Sequence, residues 1–181
     1  AFGFAMLGGS AAFSGKLADD EVGNSFVANL RSGNVQFTGT IAADGPASAR
    51  SMIFVTPDAQ RSMNTYLGAS LTMTDASIQD DITAKFIYLE GYLFDAPDGP
   101  AIFAKAAQLA LETRAALSLT LSDSWCVERH KDALSAFIRD HVSILFSNQD
   151  EIQALLGTDD DDTIASFARE IDELIVTKGA A

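Results

Sequence analysis

Ile144-Leu-Phe-Ser-Asn-Gln-Asp-Glu-Ile-Gln-Ala-Leu-Leu156 is the stretch whose reading decides the fold. Its first residues form an apolar run of strand length, and beyond Asn148 the residues Ile152, Leu155 and Leu156 recur at helical spacing. Asn148 therefore stands at a strand-to-helix corner. Open α/β sheets place their ligands at such corners, outside the carboxyl ends of the strands. Asn148 and Glu151 are three residues apart, which lets Asn148 cap the helix while the Glu151 carboxylate reaches back over its first turn. Taken alone the pair reads as a cap; the same two side chains also suit a hydrated cation.

On either side of this stretch the chain alternates in the same manner. Downstream come the acidic loop Asp159-Asp-Asp-Asp162, a helix over 162–171 and a strand over 174–177. Upstream, a helix over 127–139 feeds the strand 142–146, and a helix that starts near Pro97 and carries Phe103, Ala107 and Leu111 feeds the strand 115–121. A short helix over 75–83 precedes the strand 86–90. Nearer the start, a strand over 10–17 leads into a helix opened by Asp19, Asp20 and Glu21 and stopped by Gly33. Strands separated by helices of this length predict a parallel sheet with right-handed crossovers and helices on both faces. Residues 35–69 break the pattern: they read as strands 35–41, 47–55 and 61–66, the last two joined through Pro57-Asp58-Ala59-Gln60. The expectation is an α/β, three-layer, doubly wound and mainly parallel fold. Residues 1–34 begin its core, 35–69 form a small β-lid, and 70–181 continue the core.

Composition narrows the functional classes. Of the 181 residues, 48% are apolar and 20% charged, the balance of a globular chain. The net charge of −13 argues against nucleic acid or an anionic membrane as partner, since the chain has few cations to set against phosphates. A nucleotide remains compatible, because Mg²⁺ and backbone N–H groups can hold its phosphates. Cys126 is the only cysteine, which excludes an intrachain disulfide and fits a reducing cytoplasm. No apolar run approaches the roughly 20 residues that cross a bilayer, and residues 1–9 carry no basic leader. The opening Ala1-Phe-Gly-Phe-Ala-Met-Leu-Gly-Gly9 reads as the tail of a helix closed by glycine, and both ends read as cut from something longer.

The polar residues at the carboxyl ends of the expected strands are Asp19 and Asp20, Glu90, Asp123, Asn148 with Glu151, and Thr177-Lys178-Gly179. Each acid alone reads as a cap. Together, mutually facing carboxylates repel unless a cation or a phosphate-bound Mg²⁺ sits among them, which favours a metal–nucleotide ligand. His130 and His141 are eleven apart with no third ligand nearby, a poor zinc pattern. Cys126 beside Trp125 reads as packing. Neither G-x-x-x-x-G-K-[ST] nor G-x-G-x-x-G after the first strand is present, so a standard dinucleotide-binding domain is disfavoured.

Several segments match a known pattern in order: Ser10 to Gly23 with Asp20 and Gly23 at G-x-D-x-x-G positions, the lid segment Ala49 to Ala69, Tyr88-Leu-Glu-Gly-Tyr92, Leu119 to Arg129, the N-x-x-E pair Asn148 and Glu151, and Val176-Thr-Lys-Gly179. In these the chain resembles the ribokinase-like (PfkB) carbohydrate and nucleoside kinases, particularly the bacterial adenosine-kinase-like sugar kinases. The resemblance implies transfer of the γ-phosphoryl group of MgATP to a hydroxymethyl group of a sugar or nucleoside. It gives Asn148 and Glu151 to the phosphates and to Mg²⁺, with Glu151 acting through water, and Thr177, Lys178 and Gly179 to the nucleotide loop. Glu90, Asp20 and Ser48 fall on the acceptor side, and a homodimer is compatible, since lids of this type sometimes pair between subunits.

Two departures accompany the resemblance. Ala18 and Ala59 stand where glycine is usual. The family's G-G-x-x-A-N substrate motif and its G-A-G-D motif, with the catalytic Asp, belong before Ala1 and after Ala181, so no general base is assigned here. The alternative reading is a non-catalytic nucleotide-binding or oligomerising piece. A hydrolase using Asp123 or Glu90 is a more distant third.

Overall fold

A computed structural model describes residues 1–179. The chain forms two compact units, Ala1–Gln79 and Asp80–Ala181.

The first unit begins with helix α1 (Phe2–Met6), closed by Leu7 and by Gly8 in the left-handed region at φ 89°. Strands β1 (Ala11–Phe13) and β2 (Lys16–Ala18) precede helix α2 (Glu21–Ser32), and β3 (Val35–Phe37) and β4 (Thr40–Ala42) follow it. Strand β1 pairs in parallel with β3, and β2 with β4. The sequence pattern predicts one strand over 10–17 and one over 35–41; each is instead broken in two. The break lies at a close approach of the two chains: a Cβ on Gly39 would sit 2.0 Å from the Gly15 carbonyl oxygen, so position 39 accepts no side chain. Hydrogen bonds from Thr38 N to Phe13 O and from Thr40 N to Gly15 O carry the pairing across it. Helix α2 buries Gly23, Val27 and Leu30, the i, i+4, i+7 stripe of an amphipathic helix. Strands β5 (Arg50–Val55) and β6 (Arg61–Tyr66) make an antiparallel hairpin in which every residue is exposed. Beyond it the predicted helix over 75–83 is only a 3₁₀ turn at Asp75–Ser77, held by a Thr74–Ser77 capping box.

In the second unit β7 (Phe86–Glu90), α3 (Gly99–Thr113), β8 (Ala116–Thr120), α4 (Ser124–His141), β9 (Ile144–Asn148), α5 (Gln149–Leu156), α6 (Asp161–Phe167) and β10 (Glu173–Thr177) follow one another. The sheet order is β10-β9-β8-β7, all parallel. Strands added one after another in the same direction, with right-handed crossovers, carry their helices to one face of this sheet. Leu117, Leu119 and Leu145 are buried on that face; in the alternate register the central Ser118 is buried as well, whereas Phe86 and Tyr88 of the edge strand are exposed. The core joins those leucines to Phe103 and Ala106 of α3, Val127, Leu134 and Ile138 of α4, and Ile152 and Leu155 of α5. Leu119 has no exposed surface, and truncating such a residue to alanine costs about 2–5 kcal/mol. Helix α3 carries proline in its first turn and ends on Arg114 at φ 59°; α5 ends on Gly157 at φ 77°. Arg129 and His130, at the kink of α4, both bond Asp95 of the turn after β7, fixing that turn against the helix.

Candidate active site

The register of the second sheet puts Glu90, Thr120, Asn148 and Thr177 at the carboxyl ends of the four strands and on one face of the sheet. Two helices start among them. Asp123 caps α4 by accepting from Cys126 N at 2.6 Å, and Asn148 caps α5 by accepting from Glu151 N at 2.8 Å.

The Asn148–Glu151 corner is a complete reciprocal cap. One Glu151 oxygen accepts from Asn148 N at 2.9 Å and the other from Asn148 Nδ2 at 2.7 Å. Glu151 is only 5% exposed, while Asn148 is open to solvent. Burial raises the Glu151 carboxyl above its ordinary range; the Asn148 N–H opposes the rise, and Asp123, Glu90 and Asp150 add to it. Acids from three strand ends thus feel one another.

A second network joins the exits of β7 and β8. Ser122 Oγ donates to a Glu90 carboxylate oxygen and accepts from Tyr92 N at 3.3 Å, and the Tyr92 hydroxyl donates to Asp123. Burial, followed by the bond to Asp123, raises the Tyr92 phenol further above its ordinary value. Cys126 lies fully buried against Gly91 O at 3.4 Å, and burial pushes its thiol up to about 11, which leaves it a packing residue. Gly91 permits the approach: a Cβ there would lie 2.7 and 2.8 Å from the carbonyl oxygens of Thr120 and Leu121. Ser122 has φ 73°, a conformation that costs a side-chain-bearing residue about 1–2 kcal/mol. Two exposed hydrogen bonds return about the same, so for stability the serine is level with a glycine.

Thr177 Oγ1 donates to Ser147 O at 3.4 Å, Lys178 lies 3.5 Å from Asp161 on the surface, and Gly179 has φ 72°. In the first unit Asp20 caps α2. One of its oxygens accepts from Gly23 N and the other from Ser48 N, each at 2.8 Å. Ser48 is fully buried, its hydroxyl accepting from Ala18 N at 3.0 Å. The backbone bonds from Gly23 and Ser48 hold the Asp20 carboxyl below its usual value. Asp19 accepts from the Asn24 side chain at 3.2 Å. Among the described residues, no group of three His, Cys, Asp or Glu side chains is arranged to hold a metal ion. None of the described helices is long and apolar enough to cross a membrane.

Sequence reasoning passed over Tyr92 and Ser122 as site residues. Tyr92 carried a signal, a phenol two residues beyond Glu90; a serine in the left-handed region carries none.

The model of the pfkB family carbohydrate kinases matches residues 1–181. The chain belongs to the pfkB family. Its curated relatives include fructokinase-1 of Oryza sativa subsp. japonica, 28% identical over 186 residues that cover 97% of this chain and 57% of that protein. Among solved structures, adenosine kinase from Sinorhizobium meliloti is 40% identical with a TM-score of 0.93, covering 98% of this chain and 55% of that one. A probable sugar kinase from Rhizobium etli CFN 42 is 38% identical with a TM-score of 0.92, at the same coverage. The fold is therefore the ribokinase-like α/β fold of the pfkB family, and the chain spans little more than half the length of these relatives.

Proposed function

We propose that the protein carrying this chain transfers the γ-phosphoryl group of ATP to a hydroxymethyl group of a sugar or nucleoside. The observation that carries the reading is the Asn148–Glu151 cap at the carboxyl end of β9: a buried carboxylate, fixed by its own cap, in the field of Asp123 and Glu90. Its pfkB membership, and the fructokinase and adenosine kinase it is similar to, support a sugar or nucleoside acceptor.

The residues suit Mg²⁺ held with the nucleotide. Each Glu151 oxygen already accepts one bond from Asn148, so the carboxylate's free lone pairs suit the water of a hydrated ion better than direct ligation. Mg²⁺ would neutralise charge on the phosphates and relieve the repulsion among the acids. Asn148 and Glu151 then fix the side of the site facing the phosphates. Thr177, Lys178 and Gly179 border the nucleotide, with Gly179 supplying the turn. Glu90 accepts hydrogen bonds from acceptor hydroxyls.

The test is radiolabelled phosphoryl transfer from ATP to D-fructose, D-ribose and adenosine by the protein carrying this chain. Mg²⁺-dependent labelling of at least one is expected, and labelling of none sinks the reading. A second reading, an oligomerising or nucleotide-binding piece without turnover, is favoured by the hairpin, where Met52, Ile53, Phe54, Val55 and Met63 are all exposed. Sedimentation that shows a dimer, together with ATP binding and no transfer, would select it.

A further inference from the structure

Ser122 stands in a conformation that glycine adopts freely, between the exit of β8 and the start of α4. What the serine has and a glycine lacks is its hydroxyl. That hydroxyl makes a long-range bond to the carboxylate of Glu90, thirty-two residues away, and is itself held by Tyr92 N. Glu90 is exposed, so it needs no partner for stability, and the strain of the left-handed backbone offsets what the two bonds contribute. The serine gains over glycine only in where it points Glu90. Gly91 tightens the device, since the space a Cβ would need is filled by Ser122 Oγ at 2.8 Å and by two carbonyl oxygens.

We propose that Ser122 is a positioning residue that fixes the Glu90 carboxylate in the orientation that receives the acceptor's hydroxyls. This rests on the phosphotransferase reading. It assigns to the β8–α4 corner a share in acceptor affinity, whereas the β9–α5 corner serves the phosphates. Ser122→Gly removes the hydroxyl and also the strain, so the variant folds and the proposal does not depend on a damaged protein.

The experiment is steady-state kinetics with ATP and whichever of D-fructose, D-ribose and adenosine the wild type phosphorylates. For Ser122→Gly we expect the acceptor KM to rise about tenfold, the size of one orienting hydrogen bond to a charged group. KM for ATP and the thermal midpoint should stay at or above wild-type quality. Ser122→Asn tolerates the left-handed backbone and offers an amide donor, and it should recover most of the acceptor affinity. In a Glu90→Ala background Ser122→Gly should add nothing. An unchanged acceptor KM in Ser122→Gly, or an equal rise with and without Glu90, overturns the proposal while leaving the kinase reading intact. A wild type that phosphorylates none of the three probes overturns the kinase reading, and this inference falls with it.

Discussion

The corners that open α2 and α5 share one plan and satisfy it differently. In both, the residue that ends the extended segment caps the helix by accepting from the backbone N–H three residues on: Asp20 from Gly23, Asn148 from Glu151. At α5 the third residue returns the bond, its carboxylate closing on the Asn148 N–H and side chain. At α2 the third residue is glycine and returns nothing; the spare oxygen of Asp20 goes to Ser48, 28 residues along the chain. Glycine is required there, since a Cβ on Gly23 would lie 2.3 Å from Ala18 O and 2.8 Å from Ser48 Oγ. The outcome is two acids driven in opposite directions. Asp20, fed by backbone donors, is held more acidic, and Glu151, buried among other acids, is held less so. The α5 cap is closed within one helical turn, whereas the α2 cap gives its spare oxygen to a loop residue far along the chain.

The sharpest way to break this contrast is Gly23→Ala. Against backbone oxygen at 2.3 Å it should cost about 2–3 kcal/mol in urea unfolding despite alanine's better helix propensity, and a wild-type midpoint would show the α2 corner to be loose. Glu151→Ala removes a buried carboxylate that accepts from the Asn148 N–H and side chain, and should cost about 2 kcal/mol by the same measurement. Asn148→Ala removes the exposed half of the cap and should cost about 1 kcal/mol; a loss equal to that of Glu151→Ala would mean the two act as one unit. The smallest effects are in pH dependence, and their signs are opposite. Asp20 binds its proton more weakly folded than unfolded, so its contribution is present above its ordinary 3.8 and fades as pH falls through the lowered value. Glu151 holds its proton more tightly folded, so the folded state is favoured below its ordinary 4.5 and loses that advantage as pH rises through the raised value. In thermal melts against pH, Asp20→Asn should flatten the acid limb and Glu151→Gln the decline above 4.5. Matching signs for the two variants would remove the distinction between the corners.

What was legible in the sequence follows the same division. The parallel strands and helices of residues 80–179 show as alternating periods, and their order along the chain is their order in the sheet. The predicted strands over 10–17 and 35–41 failed as single units because Gly15 and Gly39 approach each other across the pair, a contact between residues far apart in sequence. The predicted helix over 75–83 failed because its residues bury too little to extend a 3₁₀ turn. At the site, Asn148 and Glu151 were readable because a cap with its partner three residues away is a local pattern.

By itself, then, the sequence determined the alternation of strand and helix and the capped corner at Asn148. Each of these rests on residue type and short spacing, which backbone geometry converts directly into structure. Only the tertiary structure decided that Ser48 completes Asp20, that Ser122 and Tyr92 join Glu90 to Asp123, and that Glu151 is buried within the field of two other strand ends. Those contacts span about thirty residues, and no local preference specifies a partner at that distance; the packing of one strand beside another does.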